Sequence, residues 1–242
     1  MMQMFLKNLT LALTLIPITF FGQNESQTTS KTQAVGFTFS PDYSYRILVP
    51  DAETKSLAEF RDLSETPKFG FTTGFNYALK LNERFTLEAS ILYAEKGEKL
   101  KLESTVLPTN PDDPITSVIF LSRTHYLYLD VPVKLNYFIT TKKVKFFVSG
   151  AISPNLFLTE KTFFRAIYEN EKLPISRGFE DNGFSRINLA FTAGVGLTYD
   201  LSDKFYLKVE PTYRRSITSI ISGPLEGYLY SVGLNTGFYY NF

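Results

Sequence analysis

The chain has 242 residues, enough for one domain of ordinary size, with 25 basic and 24 acidic side chains and a formal charge of +1. That balance gives no support for nucleic-acid binding, which leaves a basic footprint. There is no cysteine, which excludes disulfides, thiolate metal sites and an anchor on a lipidated cysteine.

Residues 1–22 carry one base, Lys7, then an almost wholly apolar run from Leu9 to Phe21 and the small Gly22. This is a signal-peptide pattern, and cleavage is expected between Gly22 and Gln23. The run is short for a spanning helix, which needs about 20 residues. Losing Lys7 and no acid leaves 24 side chains of each sign. Residues 23–33, rich in Gln, Ser and Thr, read as a flexible leader.

From 34 to 242 the sequence alternates apolar with small or polar residues in eight segments. A strand sends successive side chains to opposite faces, so each segment has one apolar face. The first, 34–48, puts Val35, Phe37, Phe39, Tyr43 and Ile47 opposite Gly36, Thr38, Ser40, Asp42 and Arg46. Pro41 predicts a bulge or break there, because it has no N–H to donate. After a polar loop, 49–67, come 69–81, the turn at 82–84 and the segment 85–97. A second long loop, 98–121, leads to 123–138, a short turn at 140–142 and the segment 143–158. A third long loop, 159–184, precedes 187–199, the turn 200–203, the segment 205–215, a medium loop at 217–226 and the last segment, 227–242.

Long loops alternate with short turns, the number of segments is even, and each is long enough for a tilted membrane span. The predicted fold is all-β, an eight-stranded antiparallel up-and-down transmembrane β-barrel over 34–242. Its apolar face meets lipid and its polar face packs inside. A closed barrel is required, since open sheet edges cannot sit in hydrocarbon. The rival is a soluble barrel of lipocalin type with the faces reversed. Tyrosines near segment ends (Tyr43, Tyr45, Tyr93, Tyr137, Tyr199, Tyr213 and Tyr228) predict interface girdles.

The inward face would carry Asp42, Arg46, Glu88, Asp130, Lys134, Glu210 and Arg214, with Lys80, Lys145 and Lys208 beside them. An eight-stranded lumen holds little more than its own side chains, and buried charges must be paired. The expectation is a structural ion-pair network with no continuous channel. No catalytic, cofactor or metal residues are expected. His125, the single histidine, would face outward with Leu127 as an interface residue; Ser90, Ser122 and Ser219 are not placed beside it by chain position. Asp112 and Asp113 would at most hold calcium weakly.

Two segments are characteristic: Tyr126-Leu127-Tyr128-Leu129-Asp130-Val131-Pro132-Val133-Lys134-Leu135-Asn136-Tyr137 and Phe205-Tyr206-Leu207-Lys208-Val209-Glu210-Pro211-Thr212-Tyr213-Arg214. With the glycine-spaced stretches 69–74 and 191–196 and the terminal Phe242, they resemble the small outer-membrane β-barrel domain family abundant in Bacteroidetes, which includes PorT-like proteins. The resemblance covers roughly 34–242. It implies the cell outer membrane as location and a monomeric barrel in outer-membrane lipid, with other envelope or secretion proteins as the class of partner. The expected function is a non-enzymatic structural or surface-binding module presenting its long loops outside the cell. The alternatives are a PorT-like component of a protein-secretion system and a lipid-modifying hydrolase using His125.

Overall fold

A computed structural model describes residues 33–106, 116–140, 143–168, 171–180, 183–221 and 223–242. The expected signal peptide and its cleavage point, almost all of the leader, and Asp112 and Asp113 lie outside these residues. No described helix is long and apolar enough to cross a membrane, which says nothing about a β-barrel.

The chain forms β1 (Gln33–Pro50), a helix α1 (Lys55–Ser64), β2 (Glu65–Lys80), β3 (Phe85–Val106), β4 (Thr116–Asp130), β5 (Val133–Phe138), β6 (Val144–Tyr168), β7 (Glu171–Lys172), β8 (Ser176–Glu180), β9 (Ile187–Asp200), β10 (Phe205–Ser216) and β11 (Leu225–Asn241). Each neighbouring pair is antiparallel, and β11 pairs with β1 to close the ring. β4 and β5 are one wall, interrupted at Val131 and Pro132, where Pro132 cannot donate. The ring therefore has eight walls: β1, β2, β3, β4–β5, β6, β9, β10 and β11.

Alternation sets inside and outside. Along β1 every residue from Ala34 to Leu48 switches between buried and outward, apart from a half-buried Tyr45. Phe75 is 71% exposed while Thr72 is 1% exposed. The apolar face thus points away from the barrel all round the ring, as it must in lipid and as a soluble lipocalin-type barrel could not sustain. Aromatic side chains edge this belt. Tyr77, Tyr240 and Phe205 share a rung at the short-turn end, and Tyr45 and Tyr230 share one near the long-loop end. About ten residues separate these rungs on β1. At ~3.3 Å per residue and a tilt near 40°, that gives roughly 25 Å of height, the usual apolar thickness.

Pro41 does not break β1. Its pairing with β11 skips Ser40 and Pro41 but resumes without a register shift, and Pro41 stays opposite Phe71. Register shifts elsewhere: in β4 against β6 between Leu127 and Tyr128, and in β2 against β3 between Pro67 and Phe71. There Gly97 on β3 has φ +147°, and a Cβ on it would lie 2.0 Å from the Thr124 carbonyl oxygen.

The long connections differ most from expectation. Most of 49–67 is β1, α1 and β2, because Leu48, Ala58 and Leu225 close an apolar contact over the barrel end. Asp51 opens the α1 segment by accepting hydrogen bonds from the Glu53 and Thr54 amides and the Thr54 hydroxyl. The Thr54 hydroxyl, then its amide, hold the Asp51 carboxyl below the usual aspartate range. The expected loop 98–121 is mainly a continuation of the β3–β4 ladder to the Val106–Thr116 pair. Much of 159–184 is the far half of β6, edged by β7 and β8. Backbone groups that a loop would leave to water are satisfied within the sheet.

Candidate functional site

The lumen is crossed by layers of side chains. Nearest the short turns, Glu88 from β3, Lys134 from β5, and Lys208 and Glu210 from β10 meet. Lys134 Nζ is 2.8 Å from Glu210 Oε2 and 3.8 Å from Glu88 Oε1. Lys208 Nζ is 2.9 Å from Glu88 Oε2 and 3.7 Å from Glu210 Oε2. Two cations and two anions alternate, so each charge has two opposite neighbours. Ser149 and Asn235 donate to Glu210, and Tyr239 donates to Glu88. All four charged groups are nearly solvent-free, so removing any one would strand the others at a cost of several kcal/mol.

The middle layer joins Arg214 Nη1 to Asp42 Oδ1 at 2.6 Å, with Ser40 and Thr72 donating to the same carboxylate. Asp42 fits because Gly233 faces it: a Cβ there would lie 1.9 Å from Asp42 Oδ1. Beside it, Lys96 is 2.9 Å from Asp130. The upper layer centres on Arg46, which grips Glu65 through Nε and Nη2 at 3.2 and 2.7 Å. Arg46 Nη1 donates to the Tyr126 hydroxyl, which donates to Glu98 Oε1 at 2.7 Å. Tyr126, Tyr128, Phe157, Ile220 and Leu229 form an apolar layer with Phe184, which stacks on Phe157 at a centroid distance of 4.9 Å. At the short-turn end a cavity of about 850 Å³ opens, lined in part by Lys80, Glu88, Lys145, Asp200, Tyr206 and Lys208.

All seven residues picked from the sequence lie in these layers: Glu88, Lys134 and Glu210 at the short-turn side, Asp42, Asp130 and Arg214 in the middle, Arg46 above. Lys80 and Lys145 do not join them. Lys80 is exposed, and Lys145 pairs with Asp200 at 2.6 Å with a third of its side chain exposed. Sequence reasoning missed Glu65, Lys96 and Glu98. The signal was available: Lys96 and Glu98 share the parity of Glu88 along β3, Lys96 inside the segment 85–97 and Glu98 one residue beyond its end.

His125 differs from an interface residue in contact with lipid. It sits in the wall where β2 shifts register. Glu95 Oε1 and Lys68 Nζ are each 2.8 Å from His125 Nδ1, and Lys68 Nζ is 2.9 Å from Glu95 Oε1. The Phe163 ring packs edge-on against its imidazole. Where β2 leaves β3, the Gly97 amide donates to Ser44 Oγ on β1 at 3.1 Å. Among the described residues no serine hydroxyl hydrogen-bonds to His125, and no cluster of His, Cys, Asp and Glu could hold a metal. The lumen carboxylates are occupied by cations, an arrangement suited to rigidity rather than to proton transfer.

The family described as "Outer membrane protein beta-barrel domain" matches residues 21–222. No curated protein sequence matches. Among solved structures the chain is similar to Neisserial surface protein A, at 15% identity, 87% coverage of this chain and 97% of that one, with a TM-score of 0.45. It is also similar to the attachment invasion locus protein Ail of Yersinia pestis, at 11% identity, 86% and 98% coverage and a TM-score of 0.38. A third is the outer membrane protease OmpT from Escherichia coli, at 10% identity, 91% and 99% coverage and a TM-score of 0.46.

Proposed function

The chain belongs to the outer membrane protein β-barrel domain family and resides in the cell outer membrane, and we propose that it acts there as a non-enzymatic module whose long-loop end is displayed outside the cell for recognition. The observation that carries this reading is the contrast between a filled lumen and an ordered projecting end. Charged and aromatic layers occupy the barrel interior, so transport through the barrel is not its task. The far halves of β3, β4 and β6, with β8, form one hydrogen-bonded sheet, and scaffolds presenting exposed residues serve recognition. Phe164, Tyr168 and Phe179 are exposed on it, the aromatic type that partners bind. The barrel is a monomer in outer-membrane lipid.

The cavity at the short-turn end favours a second reading, a PorT-like role in protein secretion of the Bacteroidetes type. A partner on the opposite side of the membrane would then dock at the turns 82–84, 139–142 and 200–203. One experiment separates the two. Intact protein, and a variant in which 171–180 are replaced by a short turn, are captured in mild detergent and their partners identified by mass spectrometry. Surface recognition predicts partners lost only on shortening. Secretion components retained by both proteins would replace the first reading with the second. Changes in lipid A abolished by His125→Ala would overturn both in favour of a hydrolase.

A further inference from the structure

Above the apolar belt, the two faces of the projecting sheet carry opposite charge. Paired residues in an antiparallel ladder share a face. Leu156 and Leu158, 41% and 40% exposed, end the outward apolar face at this side of the barrel, at the register shift beside a buried Leu127. The next outward rung is His125 with Lys161. The one after it is Lys99, Arg123, Phe163 and Arg177, and the next is Lys101, Leu121 and Arg165. Successive rungs on one face are about 7 Å apart. Six bases therefore stand within three rungs of the lipid-facing apolar residues. The opposite face of the same strands carries Glu98 and Glu160.

The six find no anionic partner among the described residues. Among the described residues none of them takes part in a salt bridge, whereas the lumen lysines and arginines all do. Arg165 Nε is buried with no hydrogen-bond partner. The Arg177 guanidinium lies 5.6 Å from the Phe163 ring centre, on the rung that also holds Arg123. Among the described residues the outward acids are few: Glu95 is held by Lys68 and His125, and Glu103 lies beyond, opposite Ile119. A ligand for this face is anionic, and continuity with the apolar belt places its other end in the bilayer. Guanidinium forks match phosphate oxygens in geometry as well as charge.

We propose that this outward basic face binds the phosphate groups of phosphorylated glycolipid headgroups in the outer leaflet, with Lys161, Arg123 and Arg165 as the central contacts. The proposal rests on the reading that the long-loop end faces outside.

The test uses the full barrel in mild detergent and native mass spectrometry. The probes are bisphosphorylated lipid A and the same lipid with both phosphates removed. The variants are Lys161→Gln/Arg123→Gln/Arg165→Gln and, at the short-turn end, Lys143→Gln/Lys204→Gln; heat-modifiable migration on gels establishes that each is folded. Retention of bisphosphorylated lipid A should fall roughly 10-fold or more in the triple variant and stay at the parent level in the control. Removing the phosphates should weaken retention by the parent protein to a similar extent. Equal retention by parent and triple variant, or indifference to the phosphates, would overturn the proposal. So would equal loss in the control, which would mean unspecific charge, or displacement of lipid by submillimolar inorganic phosphate, which would reassign the site to the free ion. Orientation is read separately. The chain has no cysteine, so Ser176→Cys can be labelled on intact cells with an impermeant maleimide. Failure to label there, with lipid binding intact, would sink the surface reading and not the phosphate site.

Discussion

The two halves of the barrel obey the same period of two but distribute charge in opposite ways. In the half that meets lipid, each buried lumen cation among the described residues has an anion within 4 Å, as in the Glu88, Lys134, Lys208 and Glu210 cluster. In the projecting half the outward face carries unpaired bases, and the inward face carries Glu98 and Glu160. Hydrocarbon on one side forces pairing on the other, because a buried charge without a partner costs several kcal/mol. On the outward face of the projecting half, water removes that constraint and leaves the bases there open to contact with something else. The lesson is that pairing marks where the sheet serves its own stability, and its absence marks where the sheet serves recognition.

The sharpest way to break this comparison is in the lumen. Glu210→Leu should destabilise the barrel by about 3–5 kcal/mol, since Lys134 and Lys208 are left facing each other. Urea unfolding in lipid vesicles measures this, and adding Lys134→Met should recover part of the loss. A change under about 1 kcal/mol would mean that the lumen tolerates unpaired charge. Next in size is Gly233→Val. Its Cβ would displace the Asp42 carboxylate from Arg214, and a loss of about 1–3 kcal/mol is expected in the same assay. The projecting end should respond locally. Ala58→Glu should detach α1 from Leu48 and Leu225 and speed proteolytic cleavage within 51–64. Global unfolding should stay within about 0.5 kcal/mol of the parent.

The smallest effect is a pH dependence at the same place. The folded Asp51 carboxyl has a lowered pKa because Thr54 donates to it. The stabilisation of the α1 segment is therefore complete above the ordinary aspartate range and is lost as pH falls through the lowered value. Hydrogen exchange of the Glu53 and Thr54 amides should accelerate there, and Asp51→Asn should blunt the response. Unchanged exchange in acid would sharpen the comparison differently, by showing that Ala58 packing alone holds the helix.

What the sequence made legible followed the lipid. Residues such as Phe37, Ile91 and Val232 must be apolar at every second position, so the eight walls and the inward placement of Asp42, Glu88 and Glu210 could be read from parity. Above Leu127 no such demand exists. Lys99, Lys101 and Arg123 stand where lipid-facing residues stood lower down, so the alternation lost its apolar signature although the strand continued. The same loss hid Glu98 and hence the carboxylate that Tyr126 and Arg46 share. α1 was hidden for another reason: a ten-residue helix that depends on one small residue, Ala58, docking against distant strands leaves little local pattern. The partners of His125 depend on a register shift in β2, which no alternation in β3 or β4 announces.

The seam between β1 and β11 has a consequence for biogenesis. The ring closes by joining the first strand to the last, from Ala34–Asn241 to Pro50–Leu225. Until the final segment has been synthesised, β1 and β10 each keep a bare edge, and such an edge cannot rest in hydrocarbon. A partly made chain therefore has no stable resting place in the bilayer. Completion is all-or-none, and contacts of such long sequence separation form slowly. A stop codon before residue 225 should yield material for degradation rather than a smaller barrel, whereas trimming the projecting sheet spares the seam.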